Sequence, residues 1–354
     1  MSAGSGAGSF TVQDIFDSAN GIRIPKIEVA ADGTILAFNH NCRQLRRSED
    51  QGTSWGPIQQ LEAGGNVVVD EATGDILLVR PRESALLRSD DSGRSWKLEE
   101  IDVQPNLAGH GAEGSCPAEG TCSESGVTLK HGEHNGRLLM PVRVQPPVAS
   151  NDQEYWCYNY NTSLYSDDHG RSWQVGEPVQ SGTGEGTLAE LSDGRVYYNS
   201  RCHMAVDGKR LISWSHDGGH RWVDWQACET LREVGEPFYF KYGTKPSYGC
   251  NAGLVRLPLE TTNGKDVLLF STPDNPGGTR ICMTVWASFD GARTWPVKRL
   301  VYPGPSAYSS LAADTLGNIY LTYERGLSAN IKCDIDHHKI SLATFNLDWV
   351  LSGS

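Results

Sequence analysis

Ser89-Asp90-Asp91-Ser92-Gly93-Arg94-Ser95-Trp96 is one of five variants of a single eight-residue pattern in this chain. Ser48–Trp55 and Ser166–Trp173 keep its Ser, Asp, Gly, Ser and Trp positions. Ser215–Trp222 and Ser288–Trp295 are degenerate, with Arg221 in place of the second Ser and Ala292 in place of the Gly. A β-type run leads into each copy. The Asp can accept hydrogen bonds from the amides of its own turn, the Gly can take positive φ, and the Trp can pack beneath the hairpin it starts. Each copy therefore reads as a turn device between two strands. A pattern that recurs this way marks a repeat architecture, so the domain count that length alone suggests does not apply.

Between the copies the sequence reads as β throughout. Lys26–Phe38, Asn66–Val79, Val127–Val144, Thr187–Ser200, Leu211–Ser215, Asn251–Leu257, Val267–Thr272, Ile281–Ser288, Ser309–Thr322 and Ile340–Trp349 are predicted strands or strand–turn–strand units. Turns such as Ala31-Asp32-Gly33 and Ser192-Asp193-Gly194 separate them. The approach to Ile15 and the stretch near Leu231 are the best short-helix candidates. The shorter offsets between copies, Ser48 to Ser89 and Ser166 to Ser215, suit one four-stranded unit. The longer ones, Ser89 to Ser166 and Ser215 to Ser288, imply a longer unit or an insertion. Ile340–Trp349 is expected to pair with an N-terminal strand, closing a ring and removing an open edge.

The formal charge of −12 over 354 residues, with no basic stripe, argues against a nucleic-acid partner. No apolar run reaches membrane-spanning length, so no membrane insertion is expected. Residues 1–9 read as a flexible tail and lack the charged and apolar regions of a signal peptide; a leader removed earlier would leave no trace. A secreted or periplasmic location is favoured over the cytoplasm. The nine cysteines are not spaced as a disulfide framework, although Cys116 and Cys122 could close a short loop; burial as free thiols is the alternative. Asn161-Thr162-Ser163 is a glycosylation triplet of a kind that arises often by chance. His131-Gly-Glu-His134 and Asp334-Ile-Asp336-His337-His338 lack a clean ligand set and read as solvated turns, so no metal is expected. Tyr155–Tyr160 could be a sugar-stacking wall or core packing.

The eight-residue pattern resembles the Asp-box of the sialidase superfamily, whose fold is a six-bladed β-propeller. On that resemblance the fold class is all-β, and residues 10–354 form one catalytic domain. Other segments match the family in the same chain order. Arg23, in Gly21-Ile22-Arg23-Ile24-Pro25, resembles the family's first pocket arginine. Gly184-Glu185 through Arg201 resembles the segment with the general-base Glu and the second arginine. Arg280, after Ser271–Thr279, resembles the third; Ser306–Leu311 resembles the segment of the nucleophilic Tyr, here Tyr308. Leu321-Thr322-Tyr323-Glu324 resembles the segment whose Glu braces the first arginine. Glu190 competes with Glu185; Glu185 is preferred because it precedes the predicted strand near a loop mouth.

The chemistry implied is exo-hydrolysis of a terminal sialic acid or related 2-keto ulosonic acid, without metal or organic cofactor. Such a sugar carries a carboxylate on its anomeric carbon. Three guanidiniums suit it, being permanently charged planar forks. The same carboxylate would repel an Asp or Glu nucleophile, which favours a neutral phenol deprotonated during attack. One family element has no counterpart. The family's acid/base Asp lies on a loop that here reads Phe38–Ser48 and contains no carboxylate. Three readings stay open: His40 serves as the acid; a carboxylate from the unusual Gly109–Ser125 loop (Glu113, Glu119 or Glu124) reaches the site; or the protein is a non-hydrolytic acidic-sugar lectin. As a plain turn residue, His40 would instead bond backbone. The sugar, its linkage and the oligomeric state are not legible.

Overall fold

The structure, a computed structural model, describes residues 8–19, 21–106, 108, 124–144, 159–202, 208–235, 249–329 and 335–353, and the backbone alone of 118–119, 238–240 and 243–245. The fold is an all-β propeller. Three sheets have four antiparallel strands each: Lys26–Val29 through Gln59–Gln60, Asn66–Val69 through Lys97–Glu100, and Thr183–Glu190 through Val223–Arg232. A six-stranded sheet is built around Leu138–Val144 and Tyr160–Ser166. A seven-stranded sheet contains the long strand Val297–Ala313, which pairs with Ile281–Ser288 along its first part and with Ile319–Arg325 along its second.

The five repeated turns behave as their residues dictate. In the first, Ser54 N and Ser54 Oγ donate to Asp50, and Gly52 N donates to Ser48 Oγ. These bonds hold the Asp50 carboxyl down at about 2. The same set recurs on Asp91, Asp168 and Asp290, and in part on Asp217. Gly52, Gly93, Gly170 and Gly219 all have positive φ, and Ala292 adopts the same conformation at φ 65°. The glycine has a second reason to be there. A Cβ on Gly93 would press on Leu36 and Leu45 of the preceding sheet, on Gly170 against Leu77 and Leu86, and on Gly219 against Leu139. Gly52 meets Leu342 and Tyr320, from the far end of the chain, so the turns interlock sheet to sheet around the ring. Arginines reinforce the contact: Arg47 Nε donates to Ser92 O, Arg88 Nη2 to His169 O and Arg137 Nη1 to Gly218 O.

Phe10–Asp17 pairs antiparallel with Lys339–Phe345, which is the closure expected from the sequence. Three expectations are corrected. Ile15 lies in that first strand, not a helix, because its apolar side joins the core with Phe16, Ile27 and Leu342. Leu231 lies in the strand Val223–Arg232, whose pairing with Lys209–Ser215 overrides local helical preference. The last predicted strand stops at Phe345; Asn346 accepts from Trp349 N and caps a short helix, Leu347–Leu351. Among the described residues no helix is long and apolar enough to cross a membrane. Asn161 is buried in a strand with Nδ2 donating to Tyr198 Oη, so the glycosylation triplet is structural. Cys42, Cys228 and Cys250 are buried free thiols, Cys202 is buried with its thiol donating to Gly182 O, and Cys116 and Cys122 fall outside the described residues.

Inner strands meet at the propeller axis. Glu124 N donates to Gly186 O, Asn66 Nδ2 to Glu124 O, Ser310 Oγ to Glu124 Oε1, and Ile27 N to Ser310 Oγ. Lys26 and Glu28 flank this knot. Burial pushes the Glu28 carboxyl up to about 8; Glu124 adds to the rise, while the Ser125 hydrogen bond and Lys26 oppose it. A carboxyl whose folded pKa is raised loses stability as pH climbs from its ordinary 4.5 through about 8. Glu28→Gln is therefore expected to melt close to the parent near pH 4.5 and above it beyond about pH 8. Thermal melts across that range check this; a gap that shrinks as pH rises would contradict it.

Candidate active site

Side chains from all five segments singled out in the sequence converge on one site. Glu185 lies inside the strand Thr183–Glu190, where the register with Val196–Cys202 is broken between Thr183 and Gly186. It does not precede the strand; the irregularity is what turns it toward the axis. Glu190, four residues past that break, accepts from Lys130 N and His131 N instead, so it serves a turn. Tyr308 lies on Val297–Ala313 just beyond the point where that strand changes partners. Its hydroxyl donates to Glu185 Oε1 at 2.7 Å. Arg201 Nη1 donates both to Glu185 Oε2 at 2.5 Å and to Tyr308 Oη at 2.9 Å. Because Arg201 fills an acceptor position of the phenol oxygen, the phenolic proton is directed at the carboxylate. All three side chains are buried.

The other two arginines flank the same ring. Arg23 Cζ is 4.9 Å and Arg280 Cζ 5.3 Å from the Tyr308 ring centroid. Arg280 is buried and donates from Nη2 to Gly249 O at 2.8 Å. Arg23 is the most open of the three, with 38% of its side chain exposed, which places it at the mouth. Glu324 is fully buried behind it. Its Oε1 lies 3.2 Å from Arg23 Nε and accepts from Ile24 N; its Oε2 accepts from Tyr308 N. Burial alone would raise the Glu324 carboxyl, yet Arg23 and His337 hold it down at about 2. The Tyr308 phenol is pushed well up, by burial and by the Glu185 charge, against the pull of Arg201, Arg23 and Arg280. It therefore keeps its proton at neutral pH, and an adjacent base is required to make it nucleophilic.

A BNR repeat-like domain model matches residues 67–321. The chain belongs to this family, within the sialidase superfamily. It is 30% identical to a sialidase of Micromonospora viridifaciens over 93% of its own length and 52% of the relative's. Thus it spans about half of that protein. A sialidase of Clostridium perfringens is 26% identical over 73% of this chain and 72% of the relative. The fold is similar to that of the NanB sialidase of Streptococcus pneumoniae, with TM-score 0.73 at 14% identity, over 96% of this chain and 71% of the other.

Against that superfamily pattern, His40 takes an unusual place. His40, Asn41 and Cys42 all have positive φ, and His40 N donates to Arg23 O at 2.8 Å. It sits beside the arginine pocket in a tight left-handed turn whose backbone Gly65 N also binds through Asn41 O. Among the carboxylates weighed as substitutes for the absent Asp, Glu113 and the side chain of Glu119 lie outside the described residues. Glu124 is buried and bonded to Ser310 Oγ and Ser125 N. Sequence reasoning missed His337, whose Nδ1 lies 3.2 Å from Glu324 Oε2. It also missed Arg210 and Glu233, a buried pair behind Arg201. His337 belongs to Asp334–His338, which reads from sequence as a solvated turn. Among the described residues no group of three or more His, Cys, Asp or Glu could hold a metal ion.

Proposed function

We propose that this protein is an exo-glycosidase that releases a terminal sialic acid or related 2-keto ulosonic acid. The observation that carries the reading is the three-way contact of Tyr308, Glu185 and Arg201, with the Arg23 and Arg280 guanidiniums 4.9 and 5.3 Å from the phenol ring centroid. The seven-stranded sheet counts as two blades in this reading, divided near Ser306 along Val297–Ala313, which makes six blades in one catalytic domain over residues 10–354.

Arg23, Arg201 and Arg280 hold the substrate carboxylate and orient the sugar. Tyr308 Oη attacks the anomeric carbon while its proton passes to Glu185. The bond from that carbon to the aglycone oxygen breaks, and the leaving oxygen takes a proton from an acid at the pocket edge. Water then attacks the tyrosyl-linked sugar, giving a proton to that acid's conjugate base, and Glu185 returns its proton to the departing phenolate. Two displacements retain anomeric configuration. Early-time NMR of the released sugar tests this; the opposite anomer as first product would remove Tyr308 from the nucleophile's role.

His40 is the acid in this scheme; its backbone N–H bond to Arg23 O, which ties its turn to the Arg23 segment, supports the reading. His40→Ala should slow substrates with poor leaving groups far more than activated aryl ulosonides, since only the former require protonation. Equal and small effects on both would return His40 to the role of a turn residue. A second reading, a non-hydrolytic acidic-sugar lectin, is favoured by one observation: Phe38–Ser48 contains no carboxylate. Retention of Glu185 and Tyr308 speaks against it, because binding needs only the arginines. A panel of aryl ulosonides that bind and are never turned over would favour the lectin.

A further inference from the structure

Behind the arginine pocket lies an ion pair that touches no substrate position and is tied to two of the three arginines. Glu233 is 2% exposed and Arg210 fully buried, with Arg210 Nη1 3.1 Å from Glu233 Oε2. Glu233 Oε1 accepts from Cys202 N at 2.9 Å, the amide directly after Arg201. Glu233 Oε2 accepts from Cys250 N at 3.3 Å, the amide directly after Gly249, and Gly249 O receives Arg280 Nη2. Arg210 completes the frame by donating to Cys250 O and Asn199 Oδ1 and lying over the Phe270 ring. Gly249 has φ 64°, and a Cβ there would stand 2.9 Å from both Arg201 Nε and Glu233 Oε2. That corner is glycine because the guanidinium and the carboxylate close over it. Val234 and Cys250 pack in one cluster with Tyr308, so the corner also borders the phenol.

We infer that Glu233, held by Arg210, is a positioning residue that sets the spacing of Arg201 and Arg280 for a substrate carboxylate. The inference rests on the reading that these arginines bind that carboxylate. A carboxylate is suited to the task because each oxygen serves a different backbone amide, one beside each arginine. A buried negative charge among Arg201, Arg210 and Arg280 also offsets their mutual repulsion. Glu324 likewise braces Arg23, there by direct contact with the guanidinium.

The test compares two probes: a 2,3-didehydro-2-deoxy ulosonic acid and its primary amide, which lacks the negative charge. Binding of each is measured by calorimetry to the whole protein, so turnover is not needed. Glu233→Gln keeps one acceptor and turns the other into a donor facing amide and guanidinium donors. It is expected to weaken the acid about tenfold or more, the scale found when a group orienting a binding side chain is removed, and to leave the amide within about threefold. In turnover, KM should rise with kcat largely held, the pattern of lost uniform binding. Equal weakening of both probes would mean general loosening and would overturn the inference, as would no change in either. If Glu233→Gln does not fold, Glu233→Asp keeps the charge against Arg210 while withdrawing the oxygens from the two amides; the same selective loss is expected. Arg280→Ala in the same assay separates the two levels. Selective loss in Arg280→Ala without it in the Glu233 variants overturns the positioning role alone, whereas no selective loss in Arg280→Ala removes the carboxylate reading and this inference with it.

Discussion

Tyr308→Phe is expected to lower kcat at least about a thousandfold while leaving the affinity for a dehydrated ulosonic-acid analogue within about tenfold. The hydroxyl oxygen is the one heavy atom removed, and in the proposed mechanism it acts during attack, when its proton passes across the 2.7 Å hydrogen bond to Glu185 Oε1. The ring remains against Arg23 and Arg280, so the proposed carboxylate pocket keeps its wall. Two buried groups lose a partner, Glu185 Oε1 and one of the two bonds from Arg201 Nη1. Losing these bonds in a buried site should cost about 1–3 kcal/mol of stability, less where water enters. Pre-steady-state kinetics with an activated aryl substrate check the first effect and a melting curve the second. A variant that retained a large share of parental turnover would show that another group attacks.

Arg280→Ala should weaken substrate and product-like inhibitors together by about 2–5 kcal/mol, because the carboxylate is present in both. Arg280 is buried, donates to Gly249 O and lies against the Tyr308 ring. Removing it also takes away one of the three positive charges that oppose the upward push on the Tyr308 phenol. The two replacements therefore divide differently. Loss at Arg280 appears mainly in Kd and KM, and loss at Tyr308 mainly in kcat. Inhibitor titrations beside steady-state kinetics on both proteins reveal that division, and a Tyr308→Phe protein with binding as impaired as Arg280→Ala would contradict it.

Every contact that makes the repeated turn lies within five residues: Ser48 to Asp50, Ser48 to Gly52, Asp50 to Ser54. Interactions that close over so short a span are written into local sequence, which is why five copies could be read as turns and the all-β class inferred from them. Strand positions followed for the same reason, and ring closure followed because an unpaired terminal strand would leave an exposed edge. The propeller's candidate site was legible only through resemblance. Its members come from segments far apart in the chain: Tyr308 and Glu185 are 123 residues apart, and Arg23 and Glu324 are 301 apart. No local rule selects those partners from other arginines and acids.

What tertiary packing decided falls in the same category. Ile15 and Leu231 became strand residues because the residues flanking them pair with neighbouring strands, which outweighs a local helical bias. Glu185 was separated from Glu190 by a break in register that depends on pairing with a second strand, while Glu190 was claimed by the Lys130 and His131 amides. The roles of His337 and of the Glu233–Arg210 pair carry no sequence signal, since their meaning comes from which buried charge they face. The sequence by itself determined the turns, the strands and the kinds of residue available at the axis. The closed ring determined which of them meet, because only closure takes those charges out of water and leaves each one dependent on its partner.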